Sequence, residues 1–205
     1  MTRAAKPPAP PPEPYAVLGF DPSWGGLGWA VKAPGRPLDF GVIDLSSRTW
    51  RWDALAAVLE DHDRQLPPRV RVAIERAPQV YAGRGNQAAT AYALGQVSGG
   101  ILQWATRPGR WAYPWELETK VWRGWWRIGG GGRKWDRAAY KRAAVFYALA
   151  LLGDRRGELD ALAFDPDTGE GPRGDAAEAI LITEGADRHA LEAPSGPAAW
   201  ARLTP

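Results

Sequence analysis

Two apolar runs in this chain finish on a carboxylate: "YAVLGFD" closes on Asp21 and "RVRVAIE" on Glu75. Both runs have the β-branched and aromatic content of buried strands. A buried strand has no use for an unpaired charge, which is costly to take out of water. The two acids therefore belong at strand ends, and the question is what holds them there. After Asp21, Gly25-Gly26 signals a turn and Leu27 to Val31 returns as a second strand, so the chain opens with a hairpin.

The rest of the pattern predicts a third strand around "LDFGVIDL" and a helix around "DALAAVLEDHD", with Asp53 at its start and Pro67-Pro68 at its end. "NQAATAYALGQVSGGILQWA" carries small and apolar residues at helical spacing, with Asn86 as N-cap. A short strand near "WAYP", a helix from "WELETKVWRGWW" and a glycine-rich loop tip at 129–132 follow. "KWDRAAYKRAAVFYALALL" reads as an amphipathic helix, Gly153 to Gly174 as a polar interruption, and "GDAAEAILIT" as the start of the last helix. Strands alternating with helices in this order give an α/β fold, a mixed sheet with helices on both faces.

A chain of 205 residues with 45% hydrophobic content supports one sizeable core, so a single domain is expected over residues 15–187. Residues 1–14 form a proline-rich tail and 188–205 a loose C-terminal tail. The absence of cysteine excludes disulfides and thiolate metal sites, leaving carboxylates and two histidines as metal ligands. His62, among charged residues, and His189, in the tail, read as structural or incidental. No secretory signal and no long apolar run is present, so a cytosolic location without membrane contact is expected. A net charge of +3 and a pI near 9.3 lean toward a polyanionic partner.

Asp175 and Glu178, three residues apart at a helix start, fall on one face about one turn apart. Taken singly, Asp21 starts a turn, Glu75 ends a strand, and Asp175 and Glu178 complement a helix dipole. Taken together in this topological order, the four converge if the helix start packs beside the strand ends. Converging carboxylates are hard oxygen ligands suited to Mg²⁺ or Mn²⁺, and two such ions roughly 3.5–4 Å apart clamp a phosphodiester for attack by water.

"VLGFDPSWGGLGWAV" resembles the opening strand and hairpin of RuvC-type Holliday junction resolvases, "VAIERAP" their second acidic motif, "NQAATAYALGQVSGGIL" their long central helix and "GDAAEAILI" their final acidic helix. The match spans roughly residues 15–187. It implies an RNase H-like fold, a homodimer through the helix at 86–105, and metal-dependent nicking of four-way DNA junctions with two Mg²⁺ per site, Mn²⁺ substituting. Such a source would be bacterial or phage-like. Asp21, Glu75, Asp175 and Glu178 fall on the family's four acids; the fourth is usually Asp or His there, so Glu178 is a departure. Ala88, Ala89, Ala93, Gly95 and Gly99 would permit close helix contact in the dimer.

The resemblance also implies an aromatic wedge after the second acid, where "RAPQVYAGRGN" supplies Tyr81, with Arg84 beside it. Catalytic lysines of the family fall near Lys120 and Lys134, although Lys120 does not register with the family spacing. Around them the chain concentrates its basic charge: Arg107, Arg110, Arg123, Arg127, Arg133, Arg137, Lys141 and Arg142 face only Glu116, Glu118 and Asp136 in the same span. Lys120, Arg123, Arg127, Arg133 and Lys134 are expected on phosphates, and Trp135, with Trp126, on bases, the other tryptophans being core.

Three alternatives stay open. The same chemistry could cut flaps, forks or RNA–DNA hybrids, because a fold does not choose its substrate. The acids could be structural in a non-catalytic branched-DNA-binding module. An actin-like kinase or ATPase also places an Asp before glycines in its first hairpin, but needs a duplicated domain that this chain does not show.

Overall fold

The computed structural model describes residues 15–23, 26–45, 51–67, 69–76, 85–106, 111–129 and 135–189. Strand β1 (Ala16–Pro22) is buried along its first six residues, as a strand covered on both faces must be. It pairs antiparallel with β2 (Gly26–Lys32) and parallel with β4 (Arg69–Glu75). β3 (Asp39–Asp44) adds antiparallel to β2, and β5 (Trp111–Leu117) adds parallel to β4. The sheet order is β3-β2-β1-β4-β5, the mixed sheet expected from the element order. Pro114, which has no N–H to donate, is accommodated because β5 is an edge strand.

Alternation along β1 and β4 divides the core. Leu18, Phe20, Val72 and Ile74 pack with Leu55 and Leu59 of α1 (Arg51–Gln65) and Val97 and Ile101 of α2 (Gly85–Ala105). Val17 and Ala73 face the other way, against Trp122 of α3 (Thr119–Trp125), Ala144 and Ala148 of α4 (Arg137–Leu152), and Ala176 and Ile180 of α6 (Pro172–Arg188). The expected helices on both faces are therefore present.

Several boundaries differ from the sequence pattern. Trp115 to Leu117, expected to open a helix, instead extend β5, because Glu75 registers with Leu117 and the parallel ladder runs on to the end of β4. Leu117 is buried there, and its carbonyl accepts from the Arg76 N–H at 2.8 Å. Asn86 lies inside α2 rather than at its cap, and Asp53 lies in the first turn of α1. The polar interruption holds a 3-10 turn at Gly153–Arg155 and a short helix, α5 (Arg156–Asp160). The last helix begins at Pro172, two residues early, since proline at the first turn loses no helical hydrogen bond. Among the described residues no helix is long and apolar enough to cross a membrane.

What brings α6 down onto the sheet is the lack of side chains beneath it. A Cβ at Gly19 would stand 2.2 Å from Thr183 Oγ1 and 2.8 Å from the Ala179 carbonyl oxygen, and one at Gly28 would stand 2.1 Å from the Asp175 carbonyl oxygen. Backbone is the obstacle in both places, so rotamer changes cannot relieve it. Gly28→Ala is expected to destabilise the fold by about 3 kcal/mol. Gly157→Ala, in α5 with nothing within 4 Å of the new methyl, should be neutral or stabilise by up to about 1 kcal/mol. Urea unfolding of the two variants checks the contrast.

Candidate active site

Because Phe20 registers with Ile74 across the parallel β1–β4 pair, Asp21 and Glu75 follow side by side at the C-terminal ends of the two strands. Both fall on the face that α6 covers. Asp21 also registers with Gly28, the glycine over which the Asp175 backbone passes, so the start of α6 stands above the strand ends. Asp175 and Glu178, one turn apart, then point into the same space.

Lys141 of α4 enters that space from the side. Its Nζ lies 3.2 Å from Asp21 Oδ2 and 2.8 Å from Asp175 Oδ1, and it pairs with Glu178 Oε2. Asp21, Lys141 and Glu178 are withdrawn from water, at 4%, 6% and 2% exposed, while Asp175 is half-buried. Ser23 Oγ donates to the other Asp175 oxygen at 3.0 Å. Glu75 is held separately, accepting from Thr119 Oγ1 at 2.5 Å and Trp122 Nε1 at 2.8 Å. Arg123 Nη2 reaches Glu178 Oε1 at 3.1 Å.

These contacts set the charge states. Burial pushes the Asp21 carboxyl well above the usual range; Lys141 opposes this, and Glu178, Glu75 and Asp175 add to it. Burial and the neighbouring Glu178 raise Glu75 against the hydrogen bonds from Thr119 and Trp122. For Glu178 burial acts upward too, but Lys141 and Arg123 outweigh it and lower the pKa. Burial disfavours the Lys141 ammonium, yet Asp21, Glu178 and Asp175 overcome it and raise the group above its ordinary 10.5. Lys141 is accordingly charged throughout the neutral range.

The donor set fits a hard divalent cation, being made of carboxylate oxygens around a centre that is short of positive charge. Among the described residues no three acids or histidines form a ready-made metal-binding group. The Lys141 ammonium takes the central position.

Of the other expected site residues, Lys120 stands apart from the cluster, with an 81% exposed side chain paired to Glu118 at 2.7 Å. Arg127 is exposed and holds a left-handed φ of 54° just past α3. Trp135 is half-buried and tilted on Tyr140, and Trp126 is anchored by Nε1 on the Leu181 carbonyl at 3.0 Å. Tyr81, Arg84, Arg133 and Lys134 lie outside the described residues. His62 is buried edge-on against Trp29, and His189 stacks on Trp125.

Sequence reasoning counted Lys141 only as one basic residue of a belt. The signal was available: Ala138, Ala144, Val145, Ala148 and Leu152 make the buried stripe of α4, and Lys141 falls on that stripe. A lysine on the apolar face of a helix is rarely buried without a charged partner.

No protein-family model and no curated protein matches the chain by sequence. Solved structures do match. Thermus thermophilus RuvC in complex with a Holliday junction substrate is 22% identical with a TM-score of 0.56, over 87% of this chain and 96% of that one. A second structure of T. thermophilus RuvC is 21% identical with a TM-score of 0.51, over 86% of this chain and 96% of that one. The fold is the RNase H-like fold of RuvC, a five-stranded mixed sheet with helices on both faces.

Removing the central ammonium should expose the charge balance directly. Lys141→Met leaves Asp21, Asp175 and Glu178 buried together, with an expected loss of about 3–5 kcal/mol at pH 7. Asp21 is already raised by burial and loses the opposing Lys141 charge, so the loss is full above its folded-state pKa and shrinks as pH falls toward the carboxylate range. Unfolding by urea at pH 7 and pH 5 checks both the size and the sign.

Proposed function

We propose that this protein is a metal-dependent DNA endonuclease that resolves four-way junctions, acting in the cytosol. The observation that carries the reading is the gathering of Asp21, Glu75, Asp175 and Glu178 from β1, β4 and α6 at one edge of an RNase H-like sheet. The likeness to a RuvC structure that holds a Holliday junction substrate supports the choice of DNA.

Asp21, Asp175 and Glu178 would hold Mg²⁺, or Mn²⁺ in its place, with Glu75 completing a site for two ions. Bound there, such ions supply a Lewis acid for the phosphoryl oxygens and lower the pKa of an attacking water. Lys141 keeps Asp21, Asp175 and Glu178 assembled beforehand, and must give up carboxylate partners for them to take up a divalent ion. Glu75, its oxygens fixed by Thr119 and Trp122 with lone pairs to spare, is placed to orient the water and accept its proton. Water adds to phosphorus as its proton passes to Glu75, the P–O bond to one ester oxygen breaks, and that oxygen leaves as a hydroxyl after taking a proton from solvent, so the strand is nicked.

The DNA would be held by Lys120, Arg127, Arg133, Lys134 and Arg84, with Trp135 and Tyr81 against bases. Two strands of a four-way junction need two active sites, which a homodimer through residues 86–105 provides. On α2 the exposed residues Tyr92, Gly95 and Gly99 share a helical face turned away from the sheet, available to a second copy.

With a synthetic four-way junction, the matching linear duplex and a flapped duplex, the wild-type protein should give paired nicks on the junction in Mg²⁺ or Mn²⁺ and none in EDTA. Asp175→Asn should lower the cutting rate at least about 100-fold, a direct ligand costing no less than the residues behind it, while junction binding persists. A junction bound but uncut under every metal condition would make the acids and Lys141 a structural ion cluster in a binding module. Equal cutting of flapped or linear DNA would keep the chemistry and discard the junction.

A further inference from the structure

The four acids are not held alike. Asp21 and Asp175 are gripped by Lys141 and Ser23, whereas both glutamates are gripped by one short helix. On α3, Thr119, Trp122 and Arg123 lie at helical spacings of three and four and so share a face. Thr119 and Trp122 donate to the two oxygens of Glu75, and Arg123 donates to Glu178. The longer acids, with one more rotatable bond each, are the ones that receive these extra donors.

Glu178 shows what the grip accomplishes. Lys141 contacts its Oε2 and also contacts Asp21 and Asp175, so Oε2 faces the shared centre. Arg123 takes the other oxygen, Oε1, at 3.1 Å. The guanidinium is itself fixed, 4.3 Å above the Tyr140 ring and 5.2 Å from that of Trp122, with a side chain only 21% exposed. A rigid cation behind a flexible carboxylate leaves one oxygen free to turn inward.

Building on the nuclease reading, we propose that Arg123 is a positioning residue: it holds Oε1 of Glu178 so that Oε2 alone is presented to the metal centre, which is how a glutamate serves at this position. It does so from behind the ligand rather than as a contact to the DNA backbone.

The test is Mn²⁺ binding without DNA, followed by electron paramagnetic resonance, alongside junction affinity in EDTA. Arg123→Met should weaken Mn²⁺ binding about 10-fold. Arg123→Lys, which keeps the charge but loses the planar stack on Tyr140, should recover only part of the loss, and junction affinity in EDTA should stay within about twofold for both. Glu178→Asp, too short to reach Arg123, supplies the decisive comparison: adding Arg123→Met to it should weaken Mn²⁺ binding no further. Losses that multiply in the double variant, or a junction affinity that falls while Mn²⁺ binding is unchanged, overturn the positioning role and make Arg123 a phosphate contact. Tyr140→Leu, which removes the ring under the guanidinium, gives a second route, with a smaller Mn²⁺ loss expected and no change overturning the role. A wild-type protein that takes up no Mn²⁺ and cuts no DNA is a different failure: it overturns the nuclease reading, and the positioning role with it.

Discussion

Four carboxylates share one buried space in this protein, and the rest of the structure depends on the positive charge set among them. Two like charges 4 Å apart repel by about 4 kcal/mol at an effective dielectric of 20, and a domain's whole stability is only about 5–15 kcal/mol. Without Lys141 the acids would either take up protons or drive α6 off the strand ends. With it, one ammonium satisfies Asp21, Asp175 and Glu178 together, and Arg123 adds a second cation at the rim. Burial above all, with Glu178, Glu75 and Asp175 adding to it against Lys141, keeps Asp21 well above the ordinary carboxylate range.

The packing around the cluster leaves little slack. α6 rests on β1 and β2 through Gly19 and Gly28, so the height of Asp175 above the strands is set by backbone contact. On the other side, the first turn of α6 and the segment before it press on the lysine. A Cβ at Gly174 would meet Lys141 Cδ at 3.0 Å, and Gly169, at φ +72°, lies against Ala138 and the Lys141 Cβ. Arg142 ties α4 to the same segment through the Pro166 carbonyl. The lysine stem is thereby boxed by chain that carries no chemistry of its own, and rigidity of this kind is what a preorganised site requires.

Much of this could be read from local patterns. Asp21 and Glu75 are recognisable as strand-end acids because an apolar run that stops on a carboxylate has few other uses, and Asp175 with Glu178 follows from helical spacing alone. The element order predicted a mixed sheet with helices on both faces, and the paired strands bear it out. Misreadings came where long-range pairing decides: Trp115 to Leu117 look helical next to "ETKVW" but become strand because β4 offers them a ladder. Lys141 and Arg123 look like members of a basic belt, since charge counts along a sequence do not say which side of a helix meets a sheet. Lys120, next to Arg123's helix face in sequence, turns outward to Glu118 instead.

The sequence by itself therefore determined the four acids, their placement at element ends and the class of fold, because strand alternation and helical spacing are properties of neighbouring residues. Tertiary structure decided which cation stands among the acids, which oxygen of Glu178 faces the centre, and that Thr119, Trp122 and Arg123 together hold the two glutamates. Those choices depend on α3, α4 and α6 meeting over one strand pair. Contacts between residues 34 to 55 positions apart arise from packing and register, which no local pattern encodes.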